Sequence, residues 1–315
     1  MISFLVRRLL SAIPVLIVVS LVSFIIIAIV PGDVTAELAG SDSTEAQRAE
    51  IRERLGLDRP MIEQAVRWYG RLLSGDLGQS YLLNMSVTDA VLERLPVTLS
   101  LAGIALVLAI VLGVLLGIVS AIRHDSWLDQ GSMSLALFGL SVPDFWFALI
   151  LISVFSVGLG WFPTGGYVPL SESLFGWARS MTLPALALAI TQMGVVARMT
   201  RSSMLEVMSQ DYIRTARAKG MRSHTIIFKH ALRNALVPIV TVVGVMTGVL
   251  LGGAVVIEQV FSLPGVGRLI IGAIQRRDYP IIQGGLLITA ATFVFVNILV
   301  DLAYGWLDPR VRDDR

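Results

Sequence analysis

The chain has 315 residues, 55% of them hydrophobic and 15% charged, with a net charge of +2 and no cysteine. Soluble domains carry about 45–50% apolar and about 25% charged residues, so this composition excludes an ordinary soluble globular protein. The small net charge gives no argument for nucleic acid, and the missing cysteines exclude disulfides, thiol chemistry and cysteine-ligated zinc.

Uncharged runs long enough to cross a bilayer recur along the chain, which predicts an all-α membrane protein with six transmembrane helices. Arg7 and Arg8 precede the first, Leu9–Val30. It exceeds the apolar core of a signal peptide, about 7–15 residues, and Ile29-Val30-Pro31 offers no small-residue cleavage site. It reads as an uncleaved span.

Residues 31–96 form the one sizeable polar segment, with seven Arg against eleven Asp/Glu. Asp42 with Glu45 predicts a capped helix ending at Gly56. Pro60 suits the first turn of a second helix, with Ile62, Val66, Tyr69 and Leu73 on one face. Gly75-Asp76-Leu77-Gly78 reads as a turn and Val87–Leu95 as a third helix. This small helical segment, expected outside the cytoplasm, either covers its own apolar face or offers it to a partner beyond the membrane.

Further spans are expected at 97–122, 130–157, 181–197, 234–257 and 281–300, with a tail over 306–315. Gly113 and Gly117, four apart in the second, permit close helix approach. Pro143-Asp144 interrupts the third. The loop 158–180 carries Trp161, Tyr167 and Trp177, aromatic residues suited to an interface. The stretch after the fifth span, with Arg268, Arg276 and Arg277, reads as a loop.

Between Arg198 and Arg233 lie eight Lys/Arg and two acids. The spacing of Leu205, Met208, Tyr212 and Ala216 predicts one helix over Arg201–Lys219. Gly220 suits a left-handed helix end, and Ser223 suits the N-cap of a second helix running through Ile226, Phe228 and Leu232 toward Pro238. The positive charge places this island, and with six spans both termini, on the cytoplasmic side.

No phosphate-cradling G-x-x-x-x-G-K-[ST] is present, so ATP hydrolysis is not expected of this chain. Gly244, Gly248 and Gly252 form a smooth stripe on the fifth span, suited either to close packing or to lining a path. Asp144 lies well inside a span, where a charge faces a cavity or a partner. Phe261, Pro264, Gly265 and Gly267 form a turn at the membrane surface or part of a gate. An ion-coupled secondary transporter is the alternative function, but it calls for buried ionisable groups that Asp144 alone supplies. An intramembrane protease lacks its nucleophile–base or H-E-x-x-H arrangement.

Arg214-Thr215-Ala216-Arg217-Ala218-Lys219-Gly220-Met221, followed by His230 through Pro238, resembles the coupling loop of ABC-importer permeases in the dipeptide/oligopeptide/nickel branch. Pro31-Gly32-Asp33, Leu55-Gly56-Leu57, Gly75 through Ser80 and Glu258 through Gly267 extend the resemblance over nearly the whole chain. Arg214-Thr215-Ala216 replaces the family's Glu-Ala-Ala. The resemblance implies a type I permease fold, with a permease domain over 94–305 and a coupling loop over 201–236. It implies docking on an ATPase through Arg214, Thr215, Ala216, Ala218, Lys219, Gly220 and Met221. It further implies a second permease, two ATP-binding subunits that carry the ATP, an extracytoplasmic solute-binding protein, residence in the bacterial inner membrane, and no cofactor or metal in this chain. The cargo it implies is a di- or oligopeptide.

Overall fold

The computed structural model describes residues 2–29, 34–39 and 43–307. Pro31-Gly32-Asp33, Asp42 and nearly all of the tail lie outside them. The described residues are helical, with no strand beyond an isolated bridge between Gln79 and Ser86. Among the described residues five helices are long and apolar enough to cross a membrane, six when the bent pair is counted as one span.

Two compact units divide the chain: residues 1–97 with 264–295, and residues 98–263 with 296–315. The first begins with α1 (Ile2–Ile29), α2 (Val34–Ala39), α3 (Glu45–Leu55), α4 (Met61–Leu73) and α5 (Val87–Leu92). Helix α6 (Leu95–Ile122) carries the chain into the second unit, which holds α7 (Trp127–Ser141), α8 (Asp144–Leu151) with a π-turn over Ile152–Gly158, α9 (Leu174–Met208), α10 (Asp211–Ala218), α11 (Ser223–Thr225) with a π-turn over Ile226–Ala231, and α12 (Leu232–Val260). Helices α13 (Val266–Arg276) and α14 (Tyr279–Leu307) follow.

Local chemistry explains the boundaries, including those that differ from expectation. Helix α3 is capped by Thr44 rather than by an Asp42–Glu45 pair. Its hydroxyl accepts from the Gln47 N–H while Gln47 Oε1 accepts from the Thr44 N–H at 2.9 Å. The helix ends at Gly56, whose φ of 70° is left-handed. Helix α5 stops at Leu92, and the second span starts at Leu95, because Pro96 is tolerated in a first turn where its missing N–H costs nothing. The fourth span is not the expected 17 residues but part of a 35-residue helix. Ser173 caps its start by accepting from the Gly176 N–H at 3.0 Å, which takes Trp177 out of the loop and into the first turn. The expected loop at 266–276 is a helix, because Val266, Ile270 and Ala273 share a buried face.

In the first unit that face joins Val87, Ala90, Val91, Ile281 and Ile282 in one apolar cluster. A carboxylate sits beside it. Asp278, 2% exposed, accepts from the Ser80 hydroxyl and from the backbone N–H groups of Tyr81 at 3.2 Å and Leu82 at 3.4 Å. Burial pushes the Tyr81 phenol up to about 12, with the Asp278 carboxylate adding to the shift and Arg71 opposing it.

In the second unit α9 is central, touching α7, α8 and α12. The third span breaks where the sequence predicts. Val142, held extended before proline, ends α7, and α8 starts after Pro143 at an angle of 109°.

Candidate functional site

The basic island folds as a corner, not as two long helices. Helix α9 runs to Met208 and so takes up the first turns of the expected Arg201–Lys219 helix. The chain turns at Ser209-Gln210, and α10 restarts at Asp211, an acid well placed against the helix dipole. Ile213, fully buried, and Ala216 form the inner face of α10 and pack on Ile226, Val207 and Met208. Arg214, Thr215, Ala218, Lys219, Gly220 and Met221 are exposed, and Ala216 is the one expected coupling residue that turns inward. The Arg214–Asp211 pair is 3.4 Å apart with side chains 72% and 94% exposed, so it contributes little to stability.

Gly220 has φ 76° and its N–H donates to the Arg217 carbonyl at 2.9 Å, while Met221 donates to Ala216 at 3.2 Å. Only a residue without Cβ takes this conformation freely. The next helix is capped not by Ser223 but by Arg222, which makes no side-chain cap. It runs through the π-turn directly into α12, where Pro238 is accommodated within the helix instead of ending it. Asn234 Nδ2 donates to the Tyr212 hydroxyl at 2.9 Å and ties the start of α12 to α10. Ala121, Met204, Ala231 and Ala235 form a second cluster, so the ends of α6, α9 and α12 meet behind the corner.

The support behind the corner is closely packed. Cβ atoms at Gly113 and Gly117 of α6 would lie 2.6 Å from Val196 and 2.4 Å from Thr200, so α6 lies backbone-close on α9. Next to Thr200, Arg201 donates from Nε and Nη2 to the two oxygens of Asp129, each at 2.8 Å. Asp129 also accepts from the Ser120 hydroxyl and from the Asp125 N–H at 3.1 Å. This single carboxylate joins α6, α7 and α9. Sequence reasoning passed over it. Its signal was the Ser126-x-x-Asp129 cap, in which Ser126 Oγ accepts from the Asp129 N–H at 3.3 Å.

The remaining expected residues are dispersed. Asp144 is the first residue of α8 and accepts from the Thr191 hydroxyl on α9. A Cβ at Gly244 would touch Val300 at 3.7 Å, and one at Gly252 would meet nothing within 4 Å among the described residues. Gly253 is the tight position, where a Cβ would lie 2.9 Å from Leu188 and 3.6 Å from the Asp144 carboxylate. Phe261 is 1% exposed at the end of α12, and its carbonyl accepts from the Gly166 N–H at 2.9 Å. Pro264 and Gly265 lead into α13, Gly265 as its N-cap, and Gly267 lies in the helix's first turn. Glu258, fully buried in the last turn of α12, accepts from the Thr98 hydroxyl at 2.6 Å.

A bundle of membrane helices with an exposed helix–glycine corner between two spans is the architecture of an importer permease. Residues 113–313 match the family of binding-protein-dependent transport system inner membrane components, and residues 1–102 match the N-terminal region of such membrane components. The chain belongs to this family. It is 49% identical over 308 residues to a putative peptide transport system permease protein of Brucella abortus, covering 98% of each chain. It is 41% identical to the di/tripeptide transport system permease DppB of Pseudomonas aeruginosa, covering all of both, and 40% identical to the oligopeptide permease AppB of Bacillus subtilis, covering 99% of each. Among solved structures it resembles an amino acid ABC transporter crystallised with histidines (TM-score 0.50, 18% identity, 71% of this chain and 94% of that one). It also resembles the MetNI methionine ABC transporter in an inward-facing form (TM-score 0.50, 17% identity, 67% and 93%). These two likenesses show the type I permease fold. Family membership sets aside the ion-coupled alternative.

Proposed function

We propose that this permease moves short peptides across the inner membrane as one half of a translocation path. A second permease supplies the other half, two ATP-binding subunits bind and hydrolyse the ATP, and a solute-binding protein delivers cargo from outside. No cofactor or metal is assigned to this chain. The observation that carries the coupling role is the corner itself. Helix α10 and Gly220 present an exposed surface while Ile213 and Ala216 rest on Val207, Met208 and Ile226. A push on α10 therefore reaches α9 and, through the unbroken π-turn, α12. In this reading the corner and both termini face the cytoplasm and the segment 31–96 lies outside, which the positive-inside bias supports.

Peptide cargo is supported by the names of relatives that match end to end. An open Gly252 suits a wide path with little side-chain recognition. Gly244, Gly248, Gly252 and Asp144 are proposed for that path, and Phe261, Pro264, Gly265 and Gly267 for its outer gate. The test is ATP-dependent uptake of labelled di- and oligopeptides by the reconstituted complex with its binding protein, beside nickel chelates and sugars. Peptide uptake is expected. Uptake of a sugar alone would remove the peptide assignment and leave the permease assignment standing.

A further inference from the structure

Three arginines line one cavity in the first unit. The cavity measures about 290 Å³ and is walled by residues just before α6, by α13 and by the start of α14. Arg94, Arg268 and Arg276 stand in its wall against a single acid, Asp278. That carboxylate is already engaged by the Ser80 hydroxyl and the backbone N–H groups of Tyr81 and Leu82. Arg276 forms no ion pair among the described residues. Like charges gathered around one cavity repel, and an anion between them removes that cost.

Helix α13 shapes the site. Arg268, Gly272 and Arg276 follow at four-residue spacing and share one face. The two arginines are exposed and lie about 12 Å apart along the axis. A Cβ at Gly272 would meet nothing within 4 Å, so the glycine leaves an open floor between two long side chains. On the facing wall the Arg94 side chain is 25% exposed, with Nη1 held by the Ala90 carbonyl at 2.7 Å. A planar guanidinium matches a carboxylate through two parallel N–H bonds.

Charge sorting across the membrane gives these arginines no other reason. Lys and Arg collect on the cytoplasmic side, yet the proposed topology puts all three outside. Pro264 and Gly265, two of the residues proposed for the outer gate, belong to the same wall. The cavity is near the lower end of small-molecule sites, about 300–1,000 Å³, which suits one end of a solute better than a protein surface. We propose that it receives the C-terminal carboxylate of the peptide cargo at the outer mouth. The inference rests on the peptide-importer reading above and adds what the permease itself recognises. A free carboxylate ends every ordinary peptide whatever its side chains, so a site for it sorts peptides from sugars without sorting one peptide from another.

The chain has no cysteine, so Leu83→Cys, in the cavity wall, can carry a small trifluoromethyl tag in the assembled complex. The complex is held in phosphatidylcholine nanodiscs without binding protein, and the fluorine resonance is followed during titration with trialanine or its C-terminal amide. Trialanine is expected to shift the resonance saturably, and the amide to bind roughly tenfold more weakly or worse, as loss of a charged hydrogen-bond partner requires. Arg276→Gln should weaken trialanine to the level of the amide, and Gly272→Leu, which fills the floor, should abolish the shift. Either variant decides if the other fails to assemble. Equal response to acid and amide, or none to either, would overturn the proposal. So would a shift produced by adding phosphatidylglycerol to the discs that trialanine does not reverse, since the occupant would then be a lipid headgroup. ATP-dependent uptake of labelled trialanine by the parent complex with its binding protein keeps the two failures apart. Uptake without a tag response overturns the pocket alone, and a complex that takes up no peptide overturns the reading beneath it.

Discussion

Arg201 and Asp129 form a two-pronged ion pair between α9 and the first turn of α7, with both N–O distances at 2.8 Å. The Asp129 side chain is 6% exposed and that of Arg201 27%. Neither group can be lost without leaving the other short of partners. Breaking a buried pair from one side costs roughly 3–5 kcal/mol, and the partial exposure of Arg201 points to the lower end. Asp129→Ala is expected to lower the thermal midpoint of the purified complex markedly. Arg201→Lys, which keeps the charge but loses the planar fork, should fall between it and the parent. Scanning fluorimetry of the three complexes gives the order, and equal midpoints would show that the pair carries no stability.

Gly117 and Gly103 lie on the same helix in opposite circumstances. A Cβ at Gly117 would lie 2.4 Å from Thr200 and 2.7 Å from the Ala197 carbonyl, whereas one at Gly103 meets nothing within 4 Å. Gly117→Val should push α6 off α9, at a cost of about 1–3 kcal/mol or more for overpacking. Gly103→Ala should be neutral or slightly stabilising, since alanine is the better helix former by about 1 kcal/mol. Midpoints of the two variants, measured side by side, check this contrast.

At Gly220 a Cβ would meet no atom within 4 Å, so the cost of substitution lies wholly in the backbone at φ 76°. A left-handed residue with a side chain costs about 1–2 kcal/mol, most for β-branched types and least for asparagine. Gly220→Val should insert normally yet copurify poorly with the ATPase subunits, and Gly220→Asn should keep most of the association. Full copurification and transport in Gly220→Val would show that the left-handed corner is not needed for docking.

Tyr81 provides a pH test. Its phenol, held neutral by burial, titrates near 12 instead of near 10. A raised folded value means the contribution is fully present below about pH 10, the ordinary tyrosine value. It is lost as pH rises through the folded value near 12. Phenolate absorbance of the folded complex should show one late tyrosine that disappears in Tyr81→Phe. Loss of an ordinary phase instead, with the late one kept, would show that Tyr81 is not the late tyrosine.

Periodicity made most of the membrane helices legible, and Gly220, Gly56 and Pro143 announced their breaks because each residue type restricts the backbone directly. Boundaries set by side chains reaching back to the chain were harder. Ser173 and Thr44 cap helices, but nothing in the sequence alone ranks them above Asp42 or Ser223. Helix α13 was hidden because Pro264-Gly265 reads as a turn and three arginines read as a loop, while its apolar face closes only on α5 and the start of α14. Residues that act through distant partners left the faintest trace. Asp129 needs Arg201, 72 positions away, and Asp278 needs Ser80, 198 positions away. The expected coupling residues were placed by resemblance, and only the fold shows Ala216 turned inward.

The bond between Ser80 and Asp278 also has a timetable. The two residues are 198 positions apart, and ribosomes add about 5–20 residues per second, so Ser80 is made roughly 10–40 seconds before the carboxylate that holds its loop. Throughout that interval the backbone N–H of Tyr81 must find water or a temporary partner, while that of Leu82 has the local Ser80 hydroxyl oxygen at 3.2 Å. The loop over Ser80–Leu82 therefore reaches its final form only near the end of synthesis, and a nascent chain arrested before Asp278 should be cut by protease around Tyr81 where the finished protein resists.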